Sequence, residues 1–448
     1  MSEKVNFGSK IGLIAATVGS AVGLGNIWRF PAEAQANGGA AFLLVYVACV
    51  FLLGIPVMVS EFALGRGGRS DAVGVYRNLS PRRPWWLIGA LAIIASYCIL
   101  CFYMVVAGWT LEYLVQSVTG ALFSDGSDFR AKMVECVQGS TGPLVNTYLM
   151  IGLNLVVLLG GVRKGIERLS NFLMPLLFIL LVIFIVAALS LPAASDGLRY
   201  FLYPDFSKVT PKVVIDALGQ AFFSLSLGMG ILVTYASYYP ASTRLTRTAV
   251  TVSLLDMLVA VMMGIIIFPA IMSFGLSDES LEGATLVFVT LPEVFNHMPA
   301  PQLWAILFFL LLMVAALTST ISIAEVTIAF FQDRCRMSRV KATLFAILPL
   351  LIFSTLCSLS LTPDSTLTIG GRTLFDTLDT VATNVLLPIG ALGMCLYMGW
   401  GAPSSLLRNQ ITNDGSLHSW VLRPVGVIIR WIAPVLIALI LVSQFVKF

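Results

Sequence analysis

Runs of about 20 predominantly apolar residues, the length that carries a helix across the hydrocarbon core of a bilayer, recur along this chain. They lie at 11–34, 39–65, 87–118, 145–161, 166–190, 213–240, 246–274, 301–331, 340–361, 374–402 and 424–446. Backbone polar groups in hydrocarbon must be satisfied internally, so such runs form helices. Only 11% of the residues are charged, against about a quarter in soluble proteins. The chain therefore reads as an all-α polytopic membrane protein with eleven transmembrane helices, and the lipid bilayer is its first partner. No low-complexity tract, soluble domain or basic-aromatic surface for nucleic acid interrupts the pattern, so it is read as a single transmembrane domain over 1–448. The N-terminus, MSEKVNFGSKIGL, lacks a small-residue cleavage site behind a short apolar core, and Met1 is expected to begin the mature chain.

Orientation follows from the basic residues. With the N-terminus in the cytoplasm, most of the 27 lysines and arginines fall on inner loops or helix ends, among them Arg66, Arg69, Arg82, Arg83, Arg163, Lys164, Arg244, Arg247, Arg334, Arg336 and Arg339. Fewer fall outside, including Arg130, Lys132, Lys208 and Lys447. The expected topology is a multi-pass cell-membrane protein with an inner N-terminus and an outer C-terminus. Acidic residues Asp278, Glu279, Glu282 and Glu293 cluster in an outer loop, 275–300, that reads as a short helix between turns; the outer loop 191–212 also carries turn signals.

Two runs are broken. GSAVGLGNIWRFP, at 19–31, places three glycines, an asparagine and an arginine inside the first span, and SLSLGMG, at 224–230, interrupts the sixth. A broken span survives in a membrane where its freed amides and carbonyls line a protein-enclosed cavity or hold a ligand. A break in the first span of each of two five-span groups is the pattern of transporters built from inverted repeats, with substrate and ions at the unwound midpoints. The division is repeat one at about 11–190, repeat two at about 213–402 and an extra helix at about 424–446.

These residues also carry a resemblance. GSAVGLGNIWRFP, NGGAAFLLVY (37–46), GIPVMVSEFALGR (54–66), GIERLSNFLMP (165–175), GQAFFSLSLGMG (219–230), ALTSTISIAEV (316–326) and LFDTLD (374–379) occur in the order and helix positions of the neurotransmitter:sodium symporter family. The chain closely resembles that family over nearly its whole length. The resemblance implies the LeuT fold, with a 5+5 inverted repeat and broken first and sixth helices, and sodium-coupled symport.

Sodium is a hard cation served by oxygen ligands, which unwound carbonyls, hydroxyls and amides supply. By resemblance, two sodium ions are expected and no organic cofactor. The first site would use Ala21, Asn26, Ser224 and Asp256; the second would use the carbonyls of Gly19, Val22 and Ala315 with the hydroxyls of Thr318 and Ser319. Taken alone, Thr318 and Ser319 are as well explained by bonding back to carbonyls one turn earlier. Broken-helix N-termini direct amides at an anionic group, so an amino-acid carboxylate fits, with Tyr103 adding a phenolic hydrogen bond. Ala21, Gly23, Gly25, Ile99, Tyr103, Phe223, Ser226, Met229, Ser319 and Ile323 would bind substrate. Met229 stands where the family's leucine-selective member has a bulky aromatic, and its flexible thioether suits varied shapes. Hydrophobic L-amino acids, aliphatic and aromatic, are the expected substrates. Gly23 occupies the position where monoamine transporters place an aspartate, which points away from monoamines.

Asp256 departs from the neutral polar residues of chloride-dependent relatives. A built-in carboxylate would supply the anion's charge, so the expectation is chloride independence, with proton antiport through Asp256 left open. Arg29 and Asp379 resemble the outer gate, with Phe223 as the lid beneath. The inner Arg-x-x-Trp latch is represented by Lys4-x-x-Phe7, with Tyr235 and Ser237 nearby. Glu61 and Glu325 are expected to bond to broken-helix backbone. Gly165 and Pro175 bracket a helix end that either opens towards the second sodium site or is a static kink. No nucleophile-base pair or zinc-like cysteine spacing points to an enzyme, and His297 and His418 read as loop residues. The competing expectation is a non-transporting amino-acid sensor with the same pocket.

Overall fold

The computed structural model describes residues 6–124, 128–139, 141–275 and 283–444. Lys4, Asp278, Glu279, Glu282 and Lys447 lie outside the described residues. Among the described residues, nine continuous helices are long and apolar enough to cross a membrane: Ala40–Gly68, Trp86–Thr119, Gly142–Leu159, Val162–Leu189, Leu245–Phe274, Pro301–Asp333, Arg339–Leu359, Leu374–Gly401 and Leu422–Ser443. A tenth is a bent pair, Lys10–Ala21 and Gly25–Ala36, whose axes differ by 54°. The remaining run forms Pro211–Ser224 and Ile231–Ala236, separated by a non-helical stretch. These elements follow the eleven apolar runs.

Local chemistry sets the helix ends. Ser9 caps the first span, its hydroxyl accepting from the Gly12 amide at 2.9 Å, and Pro211 sits at the first turn behind the Thr210 cap. The sixth span cannot run straight through 225–230, because Ser226 and Gly228 take φ values of 54° and +79°. A side chain at Gly228 would put its Cβ 2.7 Å from the Leu387 carbonyl, so the break is also pressed against the tenth span.

The third and eighth spans pack along each other through the centre of the bundle. Around them the first and sixth spans place their breaks side by side, Ser226 Oγ donating to the Ser20 carbonyl at 3.0 Å. Smaller elements lie at the ends of the spans: Ala72–Leu79, Phe129–Gln138, Ala194–Leu202, the Leu286–Asn296 helix, Leu406–Thr412 and a hairpin pairing Thr368 with Thr373. The outer loops expected to hold structure thus contain helices. Ala72–Leu79 is fixed by Asp71, which accepts from the amides of Val73 and Gly74 and lies 3.4 Å from Arg334. That holds the connection between the second and third spans against the end of the eighth.

Candidate functional site

The first break runs from Val22 to Leu24, after which Gly25–Arg29 forms a wide turn. Asn26 folds back on it, its side-chain oxygen accepting from the Gly23 amide at 3.3 Å. The other end of the same amide reaches across the bundle: Asn26 Nδ2 donates to Ser224 Oγ at 3.0 Å and to Asp256 Oδ1 at 2.9 Å. Ser224 donates to Asp256 Oδ2 at 2.6 Å, and the Tyr46 hydroxyl lies 3.3 Å from Ser224. Asp256 sits in the middle of the seventh span and is fully buried, yet each of these partners is neutral. A buried carboxylate satisfied only by dipoles has its charge solvated but not balanced. The oxygens gathered here, a carboxylate with the hydroxyls of Ser224 and Tyr46, fit a hard monovalent cation, and the Asn26 amide oxygen lies nearby, against the Gly23 amide.

The first and eighth spans meet beside it. Ser319 Oγ donates to the Val22 carbonyl at 3.1 Å. Thr318 Oγ1 donates to the carbonyls of Val314 and Ala315 at 3.1 and 3.0 Å, so the back-bonding geometry is present within the expected oxygen set. A methyl on Gly19 would lie 3.3 Å from Thr318 Cβ. Gly19, Val22, Ala315, Thr318 and Ser319 are thus brought together at one contact.

A cavity of about 720 Å³ opens from the two breaks. Ala21, Gly23, Gly25, Ile99, Tyr103, Phe223, Ser226, Met229, Ser319 and Ile323 all line it. The Tyr103 hydroxyl accepts from the Leu24 amide at 3.3 Å, which fixes the phenol at the break. At Gly23 there is no room for a side chain: a Cβ would lie 2.6 Å from Ser319 Oγ and 3.1 Å from the Tyr103 hydroxyl. Above Gly25 lies the Phe223 ring, 2.9 Å from where a Cβ would be. The cavity continues past Phe223 to Trp109, Met133, Phe375 and Asp379. Arg29 points over the Phe223 ring at 4.6 Å and lies 3.7 Å from Glu33; it shares the cavity wall with Asp379 but forms its ion pair with Glu33.

The opposite end is closed. Phe7 packs edge-on against Tyr235 and Tyr238, at centroid distances of 5.8 and 6.3 Å, and tilted against Tyr239 at 6.2 Å. Glu61 accepts from the Gly228 amide at 2.8 Å, a bond to the broken sixth span. Glu325 is different, and the expectation for it is corrected. It pairs through both oxygens with Arg339, each at 2.7 Å, and accepts from Tyr238 at 2.9 Å. A guanidinium within reach matches a carboxylate in charge and fork geometry, which a backbone amide cannot. Gly165 lies in the wide turn Val162–Glu167 and Pro175 inside the helix that follows. Glu167 between them accepts from the amides of Gly8 and Ser9 at 2.7 and 2.9 Å.

Three contributors escape a residue-by-residue reading: Tyr46 behind Ser224, Gln220, which donates to the Gly25 carbonyl at 3.0 Å, and Glu167. The signal for all three was at hand, since Tyr46 closes NGGAAFLLVY, Gln220 lies within GQAFFS and Glu167 within GIERLS.

A bundle with two interrupted spans, their broken ends facing one another across a buried cavity, defines a membrane transporter rather than an enzyme. Comparison with known proteins narrows the class. Residues 4–147 and 130–448 match the sodium:neurotransmitter symporter family. An uncharacterised sodium-dependent transporter of Bacillus subtilis, YhdH, is 35% identical over 446 residues, covering 99% of this chain and 98% of the relative. An uncharacterised sodium-dependent transporter of Methanocaldococcus jannaschii is 36% identical over 425 residues, covering 91% and 84%. The crystal structure of MhsT in complex with L-phenylalanine superposes with a TM-score of 0.89 at 39% identity, covering 99% of this chain and 100% of that one. This chain belongs to the sodium:neurotransmitter symporter family.

Proposed function

We propose that the protein is a sodium-coupled symporter that imports hydrophobic L-amino acids, aliphatic and aromatic, without chloride. The observation that carries this reading is the join between Asp256 and the two breaks: a buried carboxylate with neutral partners, bonded to Ser224 in the lining of a cavity that Ile99, Met229 and Ile323 also line. Sodium, as cargo, would occupy Ala21, Asn26, Ser224 and Asp256 at the first site, and Gly19, Val22, Ala315, Thr318 and Ser319 at the second. In this reading Asp256 supplies the charge that an anion would otherwise provide. The substrate carboxylate meets the amides of the first break and the Tyr103 hydroxyl, and its amine meets carbonyls near Ala21, Phe223 and Ser226. An L-phenylalanine complex of MhsT supports an amino acid with an apolar side chain.

The cycle proposed is alternating access between the two five-span repeats, with the N-terminus in the cytoplasm and the C-terminus outside. Ions first draw the first, sixth and eighth spans together. Substrate then lets Phe223 settle, and Arg29 moves from Glu33 towards Asp379. Inside, the Gly165–Pro175 helix end opens to release sodium. The test is uptake of labelled leucine, tyrosine and tryptophan into proteoliposomes under an imposed sodium gradient. Sodium-dependent accumulation unaffected by replacing chloride with gluconate is expected. Substrate binding with no accumulation of any of the three would leave a sensor instead of a transporter.

A further inference from the structure

The last span carries an arginine where lipid is its neighbour. Arg430 lies in a wide turn, Ile428–Ile432, of the Leu422–Ser443 helix. Its helix neighbours Val427, Trp431 and Val435 are 54%, 60% and 63% exposed, a surface that faces hydrocarbon in a membrane. Its guanidinium lies 5.7 Å from the Trp400 ring and 5.6 Å from the Trp431 ring. The two indoles meet edge to face at 5.4 Å. Trp400 belongs to the tenth span, whose backbone comes close here, since a Cβ on Gly399 would lie 3.1 Å from Arg430 Cα. Among the described residues no carboxylate pairs with Arg430.

A charged side chain on a lipid-facing surface is costly unless it reaches the interface and finds a counter-ion there. The tenth span, Leu374–Gly401, ends one residue beyond Trp400, so the indole that Arg430 rests against lies at the boundary of the bilayer. That places Arg430 at the headgroup level, on the face where Phe7 and Arg66 lie. Tryptophans are enriched at that level, an apolar ring in the tails and a polar edge in the headgroups. Resting against both rings, the guanidinium is held in place at their junction, and its N–H groups can take an anion. One heptad earlier on the helix, Arg423 is also exposed, adding positive charge on the headgroup side. At this depth the anion that matches the fork is a phosphate ester anchored by acyl chains.

We propose that Arg430, held by Trp400 and Trp431, binds the phosphate of an anionic phospholipid and pins the eleventh span to the tenth. The test is native mass spectrometry of the full chain released from detergent with phosphatidylglycerol or phosphatidylcholine added. The wild type is expected to retain phosphatidylglycerol in preference to phosphatidylcholine. Arg430→Gln is expected to weaken that retention about five-fold, the factor for the ~1 kcal/mol that a basic side chain contributes beside an anionic surface. Trp400→Leu keeps the charge but loses one ring, and is expected to weaken it about two- to five-fold. Arg372→Gln, in the hairpin at the opposite end, is expected to leave it unchanged. Free glycerol phosphate should not compete; competition as effective as the lipid's would make this a soluble-anion site and overturn the proposal. It is equally overturned if both Arg430→Gln and Trp400→Leu, with unchanged melting temperatures, retain phosphatidylglycerol like the wild type.

Discussion

At position 23 a single methyl group has nowhere to go. Its two nearest neighbours are the Ser319 hydroxyl, itself bonded to the Val22 carbonyl, and the Tyr103 hydroxyl, which holds the Leu24 amide. A side chain there must displace groups assigned to both ion and substrate. Gly23→Ala is therefore expected to lower leucine uptake at least about fivefold, the factor for the lower end of the ~1–3 kcal/mol lost when a buried hydrogen bond is left unmade. Retention of wild-type half-saturation for both sodium and leucine would remove the packing argument. Asp256 presents the converse case, a charge with no opposite charge among its hydrogen-bond partners. Asp256→Asn keeps the shape but removes the negative charge facing Asn26 and Ser224. Half-saturation for sodium is expected to rise about tenfold, on the scale of one charge-assisted interaction, and uptake to become stimulated by chloride. Uptake that stays fully chloride-independent in this variant would remove the charge-balance reading.

At the scale of the element, the fifth span is tied to the start of the first. Its wide first turn carries Glu167, whose carboxylate takes up the amides of Gly8 and Ser9 and the Ser9 hydroxyl at 2.8 Å. Free amides at the start of the first span are thus satisfied by the helix end proposed to open. Opening the Gly165–Pro175 segment would release them, and moving the first span would free Glu167. Glu167→Gln is expected to raise hydrogen exchange over 162–174 and over 8–12 together. Equal protection with and without sodium, in wild type and variant alike, would favour the static kink. Much of this architecture was legible in the chain because span length and broken helices are one-dimensional signals: an apolar run either reaches across a bilayer or does not, and glycines in hydrocarbon need a reason. Glu325 was misjudged because its partner, Arg339, sits on the next helix, and only folding brings the two within 2.7 Å. The short helix Ala72–Leu79 escaped because its cap, Asp71, gains its meaning from Arg334 at the end of the eighth span.

Across the whole molecule the two ends differ. Towards Asp379 the cavity is lined by Arg29 and Asp379 without an ion pair between them, whereas the other end is closed by Phe7 among three tyrosines and by the Glu325–Arg339–Tyr238 cluster. Glu325 is fully buried and the Arg339 side chain is 18% exposed, so this pair has lost most of its hydration. Desolvation offsets much of the attraction in such a pair, and the larger effect comes from leaving one member alone. Arg339→Met should strand Glu325 and weaken the closed end by roughly 3–5 kcal/mol, shifting the protein towards states in which that end is open. The expected signs are a lower melting temperature and faster hydrogen exchange over 231–239. The double variant Glu325→Met, Arg339→Met removes both charges and is expected to recover most of the melting temperature, since the stranded charge, not the missing attraction, is the main cost. If the double variant is no more stable than Arg339→Met alone, the pair acts through attraction between its members, and the closed end depends on that attraction.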